Sequence, residues 1–290
     1  MKKEKDNVLI KILLVVAIIL ALLPIGCVAS VQNQASAGSM MRNGMMNHAG
    51  MVNDGRINNI PDSSTIERSI AGLSNSKANS IIELSENEVY KLEAKPVAKE
   101  IQGNKIRMFA YNSQIPGPIL KVRQGSSVSI NFTNNIEFPT TIHWHGVRVE
   151  NRYDGTPDVT QQPILPGQSF LYKLDFPDEG VYWYHPHFRE DMQQELGLYG
   201  AIIVEPSDKD YYSRADREIV LFLDDISMQG KDVAPFYKDY ITHTLMGRFG
   251  DTMLINGKES YNIEVQKGDV IRFYTINTAN SRIFNLMVEG

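Results

Sequence analysis

Beyond residue 80, apolar side chains recur at every second position. In "VSINFTN" these are Val128, Ile130 and Phe132, and in "FLYKLDF" they are Phe170, Tyr172, Leu174 and Phe176. A two-residue period sends alternate side chains to opposite faces of an extended chain, so both segments predict half-buried strands. Turn-forming stretches lie between such segments: "QIPGPIL", "LPGQ", "FPDEG", and the Asn256-Gly257 pair, which predicts a tight hairpin. "GLYGAIIVEP" is apolar without alternation and predicts a buried strand that closes a first unit near Pro206. Many short strands separated by turns predict an all-β Greek-key sandwich.

The pattern also repeats. At an offset of 143 residues, Val122, Gly125, Val128, Ile130 and Asn134 fall on Val265, Gly268, Ile271, Phe273 and Asn277. A degenerate second copy of the first unit is therefore expected. Carried forward without gaps, the offset places His143 on Leu286 and His145 on Val288, so the copy retains the scaffold and lacks the imidazoles. This organisation predicts a complete unit over 81–206 and an incomplete copy over 207–290.

The N-terminus follows a different pattern. A lysine-rich start leads into an apolar run from Ile12 to Val31, which predicts a signal peptide or membrane anchor over 1–31. Three fates remain open: cleavage after Ala35-Ser36-Ala37, lipid modification of Cys27, or retention as an anchor. Each places the rest of the chain outside the cytoplasm, whether secreted, periplasmic or on the cell surface. Cys27 is the single cysteine, which excludes an intrachain disulfide. Residues 32–80 are rich in Ser, Asn, Gly and Met and predict a flexible tether. Within it lie Met40, Met41, Met45, Met46, His48 and Met51. Thioethers suit Cu(I), and a plain linker is the alternative. Hydrophobic content of 42% and charged content of 22% are those of a globular chain, and a net charge of -5 argues against a nucleic-acid partner.

Four of the six histidines form two matching doublets, "TIHWHGV" and "VYWYHPH". On a strand, residues i and i+2 share a face about 7 Å apart; on a helix they diverge. The strand-forming neighbours therefore predict paired imidazoles at His143/His145 and at His185/His187. Pro186 donates no ladder hydrogen bond, which places the second doublet at a strand end or sheet edge. Four imidazoles with no thiolate and no carboxylate inside either doublet favour copper, with structural zinc as the alternative. Trp144 and Trp183 are expected to face away from the ligands and pack in the core. Glu190, Asp191 and Glu195 are expected to be solvated, and His243 to be a surface or core histidine.

The segment from "TTIHWHG" through "TQQPI" and "YWYHPHF" to "GLYGAIIVEP" resembles the first cupredoxin domain of the multicopper oxidases, the laccase-like family. "DTMLINGK" and "NSRIFNLMVEG" resemble the opening half of that family's second domain, which carries no copper. The resemblance covers roughly residues 85–290. It implies a cupredoxin-like sandwich in which His143 binds a type 2 copper, His145 and His185 bind one type 3 copper, and His187 binds its partner. It also places Asp154, in "YDG", near the cluster, where its carboxylate could orient a ligand or water and supply protons. A turn residue before Gly155 is the alternative.

The family's cluster takes about eight imidazoles, and its type 1 copper needs a cysteine and two histidines. Cys27 lies in the apolar leader, so a type 1 site is expected outside this chain, in a missing C-terminal cupredoxin domain. The absence of another cysteine also argues against a nitrite reductase. The resemblance thus implies the N-terminal part of an exported oxidase that couples oxidation of a small reducing substrate, a phenol or a metal ion, to reduction of O2 to water. This segment alone is expected to be inactive. An exported copper-binding or copper-buffering module without turnover is the alternative.

Overall fold

The computed structural model describes residues 7–15, 66–236 and 240–289. The Greek-key sandwich expected from the strand pattern is the architecture observed. One sheet joins β3 (Val89–Ile101), β4 (Asn104–Tyr111), β6 (Ser127–Asn134) and β8 (Ser169–Asp175) in the order β4-β3-β6-β8. The facing sheet joins β2 (Ile81–Glu83), β5 (Ile119–Arg123), β7 (His143–His145), β9 (Gly180–His185) and β10 (Gly200–Glu205) in the order β2-β5-β10-β9-β7. The period-two reading is borne out in β6, where Val128, Ile130, Phe132 and Asn134 are buried and the residues between them are not. In β8, Tyr172 and Leu174 reach the core while Leu171 stays exposed. Along β10, both faces are covered, as its continuous apolar run predicts.

A second, smaller unit follows. Its main sheet orders β11 (Arg217–Ile226), β14 (Thr252–Ile255) and β16 (Ile271–Asn277) as β14-β11-β16. β12 (Met228–Gln229) and β13 (Asp232–Val233) form a short hairpin. At the predicted hairpin, Asn256 and Gly257 both take positive φ (51° and 69°), and Ile255 and Lys258 exchange backbone hydrogen bonds. β15 (Tyr261–Gln266) and β17 (Asn285–Glu289) flank β1 (Asn7–Val15), which pairs antiparallel with both. Part of the apolar leader thus runs as a strand, consistent with the ambiguity of short apolar runs between helix and strand. Among the described residues no helix is long and apolar enough to cross a membrane.

The repeat is visible in detail. Gly125 and Gly268 occupy equivalent turns at φ of 86° and 94°. Asn134 accepts a hydrogen bond from the backbone of Ile136, and Asn277 accepts one from Ala279, so both copies end the equivalent strand with the same side-chain turn. Leu286 and Val288, the positions aligned with His143 and His145, lie on β17.

The expected tether to residue 80 needs a correction at its C-terminal end. Ile66 is buried in the main core, and Ser76 and Lys77 donate to the carbonyls of Ala98 and Ser113. Backbone pairing anchors this polar stretch, a contribution that composition does not register. The Met- and His-containing part of the tether, including His48, lies outside the described residues.

The two units share a buried apolar seam of Ile119, Tyr199, Ala201 and Ile203 with Val220, Phe222 and Ile276. At its edge the Tyr199 hydroxyl donates to Asp224 at 2.6 Å, and the Asp225 amide donates to the other Asp224 oxygen. Burial pushes the Asp224 carboxyl well above the usual range, against the pull of these two donors. A raised acid keeps its proton when folded, whereas the unfolded chain ionises above about pH 4. Asp224 therefore contributes most stability below that pH and loses it as pH rises toward the shifted value. Asp224→Asn is expected to flatten this decline between pH 4 and 7 and to leave the protein at least as stable at pH 7. Urea unfolding of both proteins across that range checks it; an asparagine variant with a wild-type slope contradicts the assignment.

Candidate metal centre

Among the described residues no further strand pairs beyond β7, which makes it an edge strand, and its three residues are His143, Trp144 and His145. It runs antiparallel to β9 in a register that sets His143 opposite His185, Trp144 opposite Tyr184, and His145 opposite Trp183. Alternation then decides which side chains meet. Trp144 points into the sandwich, fully buried against Tyr172 and Tyr184. His143, His145 and His185 point the other way. β9 ends at His185, so Pro186 falls just past the ladder, as its missing N–H requires. His187 follows, its amide donating to the Thr141 hydroxyl.

The four expected histidines come together. Ring centroids lie 4.4 Å apart for His143 and His187, 5.1 Å for His185 and His187, and 5.4–5.6 Å for His143–His145, His143–His185 and His145–His185. All four line one cavity of about 1080 Å³. Hydrogen bonds set which nitrogen each ring offers. His143 Nδ1 donates to the Asp154 carbonyl at 2.8 Å, and His185 Nδ1 donates to the Pro186 carbonyl at 3.1 Å. Each ring is left with its Nε2 lone pair for the cavity. His145 Nδ1 and His185 Nε2 approach to 3.4 Å, close enough to serve one metal ion. Ligand atoms of His143, His145 and His185 all fall within 4.8 Å of one another, and those of His185, His187 and Glu190 do likewise.

The electrostatics keep these rings neutral. Burial lowers all four imidazole pKa values, most strongly at His185, where the three other histidines add to desolvation and the value falls to about 3. Neutral imidazole is the metal-binding form. The donor set, all nitrogen apart from one exposed carboxylate, fits copper.

Asp154 reaches the site through its backbone more than its side chain. Its carbonyl holds His143, while its carboxylate stands 3.4 Å from the same nitrogen and accepts from Thr156. The 3-10 turn Asn151–Tyr153 delivers it there.

Three sequence expectations change. Trp183 lines the cavity and stacks on His185 with centroids 4.0 Å apart and planes 15° apart. It lies two residues before His185 on one strand and so shares its face; the alternation that turns Trp144 away turns Trp183 inward. Glu190, on α1 (Glu190–Gln193), is exposed as expected and stands 3.7 Å from His187 Nδ1. Glu195 is not solvated: it is 3% exposed and paired with Arg248 at 2.6 Å. His243, on α2 (Tyr240–Met246), lines the same cavity. Asp191 is exposed and paired with Arg189, as expected of a solvated acid. From the second unit, Arg248 and Asn280 also line the cavity, and no short-range pattern in the sequence marked them.

A family model described as multicopper oxidase matches residues 93–209. The multicopper oxidase MmcO of Mycobacterium tuberculosis is 29% identical over 228 residues, covering 69% of this chain and 44% of that protein. A Staphylococcus aureus multicopper oxidase is 31% identical over 208 residues with the same coverage. The chain thus spans under half the length of these curated relatives. Among solved structures, a multicopper oxidase from Pseudomonas thermotolerans superposes with a TM-score of 0.59 at 29% identity, over 68% of this chain and 48% of that one. A Campylobacter jejuni multicopper oxidase described as a metallo-oxidase gives 0.52 at 28% identity, over 67% and 44%. The sandwich is cupredoxin-like, and its structural neighbours are multicopper oxidases.

Proposed function

The chain belongs to the multicopper oxidase family, and from that premise we propose that it supplies four histidine ligands to a copper cluster in an exported oxidase. The approach of His145 Nδ1 and His185 Nε2 to 3.4 Å, within a ring of four neutral imidazoles, carries this reading. His143 Nε2 would hold a type 2 copper, His145 and His185 one type 3 copper, and His187 its partner. The remaining ligands and the type 1 site would come from polypeptide outside these 290 residues. Bound copper would supply the one-electron chemistry that reduces O2 to water with electrons from a small reducing substrate, a phenol or a metal ion. The protein's part is to fix ring planes, keep Nε2 of His143 and His185 unprotonated, and shield the rings on one side with Trp183. The Asp154 carboxylate, 3.4 Å from His143 Nδ1, would orient a ligand or a water at the site. The lysine-rich, apolar N-terminus supports export, with anchoring by Cys27 or by the leader itself as routes to a membrane.

The test is copper uptake by the full chain. Equilibrium dialysis against Cu(II) with metal analysis is expected to show tight binding, and His185→Ala to weaken it at least tenfold because that ring faces the three others. Oxygen consumption with a phenolic donor is expected to be absent in this chain alone. Wild-type affinity in His185→Ala contradicts the site; sustained oxygen consumption contradicts the assignment of further ligands elsewhere. Tight binding in a protein that reaches the cell surface as these 290 residues alone would instead favour a copper-buffering module.

A further inference from the structure

We propose that Trp183 is a positioning residue of the histidine cluster, a clamp that transmits the packing of the copper-free second unit to the imidazoles of His145 and His185. The inference rests on the copper reading above and concerns what holds those rings, not which rings bind.

One side of the indole is engaged by imidazole. Its ring lies parallel to His185, 4.0 Å away at 15°, and stacks on its cross-strand partner His145 at 5.1 Å and 29°. These are the two rings whose nitrogens approach to 3.4 Å. A single rigid plane therefore governs both members of that pair. Trp183 also packs against the seam between the units, where Ala201 and Ile203 meet Val220, Phe222 and Ile276. Val181, two residues earlier on β9, packs on the same seam. The face of β9 thus passes from interunit core at Val181, through Trp183, to ligand at His185. Three of the seam residues belong to the second unit, which lacks ligands of its own at the positions aligned with the first doublet.

Stacking does more than restrict rotation. An imidazole that gives its lone pair to a cation becomes electron-poor, and the negative face of an indole favours that state over the free ring. The contact is therefore stronger with metal bound than without, which couples Trp183 to affinity and to ligand geometry. An aliphatic side chain of similar size would fill the space and provide neither effect.

The experiment compares the full wild-type chain with Trp183→Phe and Trp183→Leu. One equivalent of Cu(II) is titrated against a competing chelator, and its EPR spectrum is recorded. Trp183→Leu is expected to lose about tenfold or more in affinity, the scale for outer partners of metal ligands, and to broaden the copper hyperfine lines as the rings gain freedom. Trp183→Phe is expected to stay within about threefold of wild type and keep its spectrum. Wild-type affinity and spectrum in Trp183→Leu, or equal impairment in both variants, overturns the clamp while leaving the copper site intact. Failure of the wild-type chain to bind copper overturns both readings together. Proton NMR of the metal-free wild-type chain needs no variant: the stacked indole should shift the ring protons of His185 and His145 upfield, and unshifted signals overturn the proposal.

Discussion

Arg248→Met is expected to destabilise the protein by about 3–5 kcal/mol at pH 7, the cost of leaving one member of a buried ion pair without its partner. Arg248 and Glu195 are 6% and 3% exposed and meet at 2.6 Å. The arginine also donates to the carbonyls of Ala234 and Pro235, and its guanidinium lies over the Phe236 ring. Glu195 would retain only neutral donors, the Ser227 amide and the Asn280 side chain. Burial already raises the Glu195 carboxyl, with Arg248 opposing the rise. Without the arginine, its folded-state pKa climbs further while the unfolded value stays near 4.3. The deficit should therefore be largest at neutral pH and shrink as pH falls toward the ordinary carboxylate range. Urea unfolding at pH 7 and pH 5 measures both effects. Adding Glu195→Gln should recover much of the loss, since the two residues act as one unit. A methionine variant within about 1 kcal/mol of wild type at pH 7 would show that the pair is not the buried contact described.

Gly155→Ala is expected to damage fold and site together, by about 3 kcal/mol in stability and at least tenfold in copper affinity. Gly155 takes a φ of 80°, and a Cβ there would lie 1.9 Å from the Ile142 carbonyl oxygen and 2.8 Å from the His143 amide. Neither backbone atom can yield without moving β7, so the turn from Asp154 to Thr156 must shift. That turn carries the carbonyl that fixes His143 Nδ1. Asp154→Ala makes the informative contrast: it removes the carboxylate and keeps the carbonyl, so copper affinity should fall much less than in Gly155→Ala. Chemical unfolding and Cu(II) titration of the two variants decide it. Equal copper affinities in Gly155→Ala and wild type would remove the backbone carbonyl from the account of the site.

The histidine doublets were legible because spacing and strand geometry have the same period. His143 and His145 share a face on any extended strand, and the proline after His185 ends its ladder wherever the strand lies. The same parity applied to Trp183 would have placed it beside His185, yet only the register of β7 against β9 puts it opposite His145 as well. Glu195 reads as solvated because it follows the second doublet together with Glu190 and Asp191, which are exposed. Its burial depends on Arg248, 53 residues later, and no local pattern encodes that contact.

Periodicity by itself determined the strands, their buried faces, the repeated unit and the four imidazoles, because these follow from side-chain direction along one extended backbone. Tertiary structure alone decided that the rings converge on one cavity, that the Asp154 carbonyl selects the tautomer of His143, that Trp183 packs against the seam between the units, and that the second unit lends Arg248 and Asn280 to the cavity wall. Those depend on strand register and on contacts between segments far apart in sequence, where closing the fold, not the local period, brings the atoms together.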